Sequence, residues 1–538
     1  MKMKRSILLL LAVLLRWFSI SAATVVADYR VVPLPQEINI AGDGQFVLNG
    51  QTAIVYPMGD NLLQRDALFL HNYLQENLGL ALPLTTARTA NAITLRLNKK
   101  IQNEEGYVLT VGKKGVAIEG STAKGIFYGV QTLRKAIPAG STDRVLLPYG
   151  TVKDEPRFVY RGMHLDCCRH FFSLDFVKKY IDLLALHNMN VFHWHLTDDQ
   201  GWRIEIRKYP RLTDVGSYRS ESVIGRNSGI YDGTPVSGYY TQEQAREIVK
   251  YAADRFITVI PEIEMPGHAV AALAAYPELG CTGGPYKVLG DWGIFDDVLC
   301  IGNEKIYSFC EDVLGEIIDI FPSKLIHIGG DETPTTRWES CPKCQARMKQ
   351  EGIDVKHLQG YFTGRIEKFV NNRGRRILGW DEIMGGDITR SAAVMSWNGS
   401  APGIKAAQRG HDVVMAPSPE CYFDYYQTKD TYNEPLLIGN CVPVERVYNL
   451  QPIPDTLDPS LRQHILGVQA NLWTEYITHT RLAEYQVLPR MAALAEVQWC
   501  EGKKDFGAFK ERLTRLSHLY DFYHLVYAKH IWKEVKKD

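Results

Sequence analysis

From residue 160 onward, short apolar runs alternate with longer connections, several of them helical. The runs cover 161–166, 191–196, 257–263, 325–328, 377–380, 392–397, 412–416 and 465–471. Each is of strand length, and this rhythm predicts buried β-strands. Helical patterns follow the first run (174–187), the fourth (345–372), the sixth (403–409) and the eighth (483–498), and another (241–255) precedes the third. Eight such βα units on a parallel sheet predict a closed barrel rather than an open doubly wound sheet, and no Gly-rich dinucleotide fingerprint follows the first run. The segment is longer than the ~250 residues typical of this barrel, so 199–240, 277–302 and 418–464 are expected to be insertions. An aromatic and basic helix over 506–537 is expected to pack against the rest.

Upstream the pattern differs. Alternating runs at 46–48, 53–56, 93–97, 107–111 and 116–118 are interleaved with helical patterns at 62–78 and 123–136. They predict a smaller α/β sheet domain over 24–156, with helices on one side and no catalytic constellation. The expected fold class is therefore α/β: a (β/α)8 TIM barrel over 157–538, preceded by this smaller domain. Residues 1–23 read as a signal peptide, with Lys2, Lys4 and Arg5 ahead of an apolar run from Ile7 to Leu15 and small residues at Ser21, Ala22 and Ala23. The mature protein is expected to be exported, periplasmic or secreted, with no later membrane span.

Composition narrows the classes. The 538 residues carry a formal charge of zero, which gives no push toward nucleic acid or an anionic membrane. The 10 Trp and 28 Tyr offer flat apolar faces with polar handles, although most large aromatics are core. Ten cysteines in so long a chain are no disulfide framework. Cys341 and Cys344 form a lone Cys-x-x-Cys; a zinc site would need a second pair at similar spacing, and none occurs, so a structural role is expected. Cys281 and Cys300 could bridge the loop between them in an oxidising compartment, with connectivity left open.

Barrel active sites form at the C-terminal ends of the strands. Those ends carry Asp166, Arg169 and His170; His193, His195, Asp198, Asp199 and Gln200; Glu262, Glu264 and His268; Gly329, Gly330, Asp331 and Glu332; Trp380 and Asp381; Trp397 and Asn398; Tyr422 and Asp424; and Trp473 and Glu475. Acids, His, Arg and indoles converging on one rim describe a pocket for a sugar. His193 and His195 share a strand face, as metal ligands would, yet strands five, six and eight close with tryptophans where further ligands would be needed. They are read as core or supporting residues, with no metal and no cofactor.

Asp331 and Glu332 are adjacent carboxylates at a mouth cleared by two glycines. Their repulsion tends to raise the pKa of one and keep a proton available for general acid catalysis. Neighbouring side chains diverge, so the two are poorly placed as the acid and nucleophile of an ordinary retaining glycosidase, which need to be about 5–5.5 Å apart across the bond. A nucleophile from another strand, or the carbonyl of a 2-acetamido group on the substrate, fills the gap.

The motif from His327 to Glu332, Arg161 with Asp166, Arg169 and His170, the run from His193 to Gln200, and the run from Pro261 to His268 together resemble the glycoside hydrolase family 20 β-N-acetylhexosaminidases. The resemblance extends from about residue 30 to the end. It implies exo-acting, retaining, substrate-assisted release of terminal β-linked GlcNAc or GalNAc through an oxazolinium intermediate, from an oligosaccharide or glycan. It further implies Glu332 as acid and then base, Asp331 on the acetamido nitrogen, and Tyr422 on its carbonyl oxygen. Trp380, Trp397 and Trp473 are implied as walls, Arg169, Asp424 and Glu475 as ligands of ring hydroxyls, and Asp198 with His268 as a relay tuning Glu332. Glu264 stands where many members have Asp, and no C-terminal binding module of the kind some relatives carry is expected. Two rivals remain: a two-carboxylate retaining glycosidase with Glu420 as nucleophile, and a carbohydrate-binding protein without catalysis.

Overall fold

Apolar runs bounded by glycine, asparagine and acid residues become the staves of a closed barrel. In the computed structural model, which describes residues 25–140, 142–502 and 504–533, the strands are Tyr160–Asp166, Val191–His195, Thr258–Glu262, Leu325–His327, Arg376–Trp380, Ala393–Ser396, Val413–Met415 and Ile465–Ala470. They pair in parallel in chain order, and the eighth closes on the first through Gly467 opposite Tyr160 and Val468 opposite Arg161. Most strand residues are buried on both faces, because side chains fill the barrel and helices cover it, which is why these strands read as continuous runs. The signal peptide read over 1–23 lies outside the described residues. No described helix is long and apolar enough to cross a membrane.

Helix boundaries follow local chemistry. The Ser173 side chain caps Leu174–Leu186, and Thr241 with Gln244 closes a capping box on Gln242–Ala253. The single helix expected over 345–372 is two, Pro342–Glu351 and Val355–Asn372. Gly352 takes the left-handed conformation (φ 67°) that ends the first, and Asp354 caps the second. The helix expected over 483–498 is also two, Thr480–Val487 and Arg490–Trp499, separated at Pro489. Glu304–Ile320, ahead of the fourth strand, is a further helix that the sequence reading passed over. The closing helix, Phe506–Phe522, is shorter than expected.

Residues Glu37–Asp154 form most of a second compact unit. Its sheet has eight strands, more than the five expected. The run expected at 46–48 is the end of the 13-residue Glu37–Asn49, largely exposed along its first half, and the additions include its antiparallel partner Arg144–Asp154. Pro148 and Gly150 hid the latter. A shift of register between Ile40 and Gln45, opposite those residues, accommodates them.

The barrel seam makes a stability prediction. A Cβ on Gly467 would lie 1.8 Å from the Tyr160 carbonyl oxygen. Gly467→Ala is expected to destabilise the fold by about 1–3 kcal/mol, read as a lower denaturation midpoint; an unchanged midpoint would mean that the closing ladder has slack at this point.

Candidate active site

The floor of the site is a buried carboxylate. Glu262 accepts from Trp380 Nε1 (2.8 Å) and from His195 Nδ1 (2.5 Å), with His327 Nδ1 at 2.8 Å and His193 Nε2 at 3.0 Å. Burial would raise its pKa, but His327, His195 and His193 hold it well below the usual range. Burial equally opposes protonation of His195, yet Glu262 and Asp198 raise it well above its ordinary value. Its imidazolium donates to Glu262 from Nδ1 and to Asp198 Oδ2 (2.9 Å) from Nε2.

Above this floor, Asp198 also meets Arg169 Nη2 (3.0 Å) and His268 Nδ1 (3.4 Å). The better acceptor for His268 Nδ1 is Asp199 Oδ2, at 2.9 Å. Asp198 and His268, expected as a relay, are in contact, and His268 spans a second acid as well, its direct hydrogen bond being to Asp199. On its other edge, His268 Nε2 faces Glu332 Oε2 (3.6 Å) and Asp331 Oδ2 (3.7 Å). Burial works against the His268 cation, but Asp198 and the hydrogen bonds raise its pKa well above normal.

The glycines before the acid pair have a steric reason. Gly329 and Gly330 have φ of 64° and 95°, and a Cβ on Gly329 would fall 1.7 Å from Glu264 Oε2. Glu264 is itself buried with no hydrogen-bond partner for its carboxylate among the described residues. Burial first, then Asp331 and Glu262, push its pKa well above normal, so it is held as the neutral acid. Glu332 and His268 both take left-handed backbone (φ 46° each), which costs non-glycine residues of order 1–3 kcal/mol apiece. Asp331 is raised to about 6, burial being the main cause, with His268 opposing and Glu262 and Glu332 reinforcing.

A cleft of about 350 Å³ opens over this pair. It is lined by Arg169, His268, Asp331, Glu332, Trp397, Tyr422, Asp424, Trp473 and Glu475, all expected from the sequence. Asp381 accepts from the backbone of Trp397 (2.9 Å) and so sets that indole, which stacks with Tyr422 at 6.1 Å and 14°. Arg490 donates to the carbonyls of Phe423, Tyr425 and Val442, fixing the loop that carries Tyr422 and Asp424. Asp166 accepts from the backbone of Arg169 and Thr474, joining the first and eighth mouths. Both Asp424 oxygens and Asp331 Oδ1 are buried without a partner among the described residues. Polar atoms so placed along a cleft are receptors for ligand O–H and N–H groups.

Two expected residues do not line the cleft. Trp380 is 1% exposed and packs beneath Trp473, ring centres 5.8 Å apart, and Asp198 lies behind His268. Glu420, the rival nucleophile, pairs with Arg446 at 3.2 Å and is absent from the lining. Sequence reading missed Asn227, Trp292, Gly293, Ile294, Tyr425, Ile438 and Tyr476, all but Tyr476 from the segments taken as insertions. It also missed Glu382, whose carboxylate accepts from Trp397 Nε1 (3.1 Å) and is raised to about 7, chiefly by burial and then by Asp331. Cys341 and Cys344 have no second pair at similar spacing, yet the fold gathers Cys281 and Cys300, both free thiols, beside them.

Two family models match the chain: "Glycosyl hydrolase family 20, catalytic domain" over residues 158–502 and "Glycosyl hydrolase family 20, domain 2" over 28–155. A β-hexosaminidase of Porphyromonas gingivalis is 46% identical over 90% of this chain, which spans 62% of that relative's length. A β-hexosaminidase of Vibrio furnissii is 36% identical over 88% of this chain and 77% of its own. Among solved structures, the exo-β-N-acetylglucosaminidase of Vibrio harveyi in complex with N-acetylglucosamine superposes with a TM-score of 0.83 at 32% identity, covering 95% of this chain and 80% of that one. The β-N-acetylhexosaminidase of Streptomyces coelicolor gives 0.81 at 31%, covering 93% and 97%.

The electrostatics can be tested without a substrate. The Asp331 carboxyl is expected to titrate near about 6 by carbon NMR. His268→Asn removes the cation that opposes the rise, so the midpoint should move to higher pH; no upward shift would remove His268 as its partner.

Proposed function

The chain belongs to glycosyl hydrolase family 20, and from that premise we propose that it is an exo-acting, retaining β-N-acetylhexosaminidase that uses the substrate's own acetamido group as nucleophile. The observation that carries the reading is the Asp331 and Glu332 pair at one mouth of the cleft, with no second carboxylate set up as a protein nucleophile at Glu420. Substrate assistance is a recognised property of this family.

In the first step the acetamido carbonyl oxygen attacks C1. The glycosidic C1–O bond breaks, and its electron pair takes the Glu332 proton. The product is a cyclic oxazolinium and a free alcohol. In the second step water adds at C1 from the vacated face, Glu332 takes its proton, and the ring opens with retention. Asp331, ionised, accepts the acetamide N–H and offsets the positive charge that grows on it. Intramolecular attack gains an effective molarity of up to ~10⁵–10⁸ M. Tyr422 donates to the carbonyl oxygen, Trp397 and Trp473 flank the acetamide and the ring, and Trp380 supports them from beneath. Arg169, Asp424 and Glu475 hold ring hydroxyls at the buried end, which supports exo action on terminal GlcNAc or GalNAc. The basic and apolar stretch over residues 2–15 supports export, tested by N-terminal sequencing of the protein recovered outside the cytoplasm.

The deciding experiment pairs aryl β-GlcNAc with aryl β-glucoside. Hydrolysis confined to the acetamido sugar and blocked by a thiazoline mimic of the intermediate is expected; comparable glucoside turnover would overturn the reading. Glu332→Gln should cost about 10²–10⁴-fold with poor leaving groups, and unchanged turnover would remove Glu332 from the mechanism. Because Asp331 must be ionised, kcat/KM should fall as pH drops through about 6. A flat profile across that range would contradict its role.

A further inference from the structure

Four cysteines meet at one point. Cys281 and Cys300 lie in the loop that follows the third barrel strand, and Cys341 and Cys344 in the turn that opens helix Pro342–Glu351 after the fourth. All four Sγ atoms lie within 4.8 Å of one another. The Cys300 sulfur is 3.6 Å from that of Cys341 and 3.7 Å from that of Cys344, and Cys281 is 3.9 Å from Cys344. Sulfurs bound to one tetrahedral Zn²⁺ at ~2.3 Å are ~3.8 Å apart, so these three separations match the edges of a zinc tetrahedron.

The surrounding backbone is shaped to bring the two pairs together. A Cβ on Gly302 would lie 2.1 Å from the Lys343 carbonyl carbon and 2.4 Å from Cys344 N, so the strand of chain after Cys300 abuts the Cys341 turn through a bare glycine. Pro342 starts the helix, which places Cys341 at its cap and Cys344 in its first turn. There the positive end of the helix offsets thiolate charge. Cys300, Cys341 and Cys344 are buried and Cys281 is half-buried, so the sulfurs are largely withdrawn from water.

We propose that Cys281, Cys300, Cys341 and Cys344 hold one structural Zn²⁺ as a closed four-thiolate site. Each thiol gives its proton to solvent as its Zn–S bond forms, with no change of oxidation state. Four protein ligands leave no open position, so the ion does no chemistry. Its effect is positional. The loop it anchors carries Trp292 and Ile294 into the cleft, and the segment it anchors follows directly from Asp331 and Glu332. Trp338 Nε1 donating to the Leu299 carbonyl (2.9 Å) and Arg337 paired with Asp297 (2.7 Å) join the same two segments. The ion would clamp the aromatic rim against the acid pair.

The test is metal analysis of the full chain purified without chelator. One zinc per chain is expected, released on titration with a mercurial. Protein reloaded with Co²⁺ should show the thiolate-to-cobalt charge-transfer absorption of a tetrahedral sulfur site. The Cys300→Ser, Cys344→Ser double variant should lose both signals and melt at lower temperature. If that variant does not fold, the native protein still decides: no stoichiometric metal, iron in place of zinc, or four of the ten cysteines locked in disulfides in unreduced denatured protein would each overturn the proposal. Metal content is read without any activity, so this proposal and the hydrolase reading fail separately.

Discussion

The Glu262 carboxylate is the constraint on which the site depends. It is a full negative charge at the centre of a barrel, wholly buried, and tolerated only because His195, His193, His327 and the Trp380 indole surround it. Removing one partner of a buried charge costs about 3–5 kcal/mol, so the partners are fixed as firmly as the charge. Trp380 is thereby oriented as the support under Trp473, and His195 as the bridge to Asp198. From Asp198 the same chain of charges reaches Arg169 on one side and His268 on the other. The acid pair at the mouth is the exposed end of a polar column that begins on the barrel floor.

That column explains why strain is tolerated at the mouth. His268 and Glu332 both adopt left-handed backbone, and each is held there by partners on a different strand. Gly329 has room for no side chain because Glu264 occupies the space a Cβ would need. The longer acid at position 264 reaches over the strand end, and its neutral form avoids a third negative charge beside Glu262 and Asp331. The departure noted in the sequence is accommodated by protonation rather than by a new ion pair.

Legibility divides along the same line between local and assembled features. The eight strands could be read because burial on both faces leaves continuous apolar runs, and the rim residues because they sit at predictable strand ends. The part of Asp199 was not legible, because Asp198 and Asp199 are neighbours on a tight hairpin and only the fold shows that both carboxylates reach His268. Trp292, Ile294 and Asn227 come from insertions whose path no periodicity encodes. The four cysteines are separated by loops and a helix, so only the fold could show that two distant pairs share one point. Helix Glu304–Ile320 is different in kind: its apolar positions at 306, 309, 310, 313, 314, 317 and 318 carry a full helical period, and the signal was there to be used.

The adjacency of Asp331 and Glu332 acquires its meaning from this geometry. Two carboxylates serving as acid and nucleophile must face each other across the scissile bond, which neighbours in sequence do badly. Here the left-handed turn at Glu332 leaves its side chain 35% exposed toward the cleft, while Asp331 stays buried with one oxygen unpartnered. One acid is thus placed to exchange a proton with a leaving group and with water. The other is placed to receive a single N–H donor in a dry setting, where a charge-assisted hydrogen bond is strong. A sugar that brings both a leaving group and an amide uses both positions at once, and one without the amide leaves the buried carboxylate unsatisfied. Under the proposed function, selectivity for an acetamido substrate and the means of its activation come from the same buried atom.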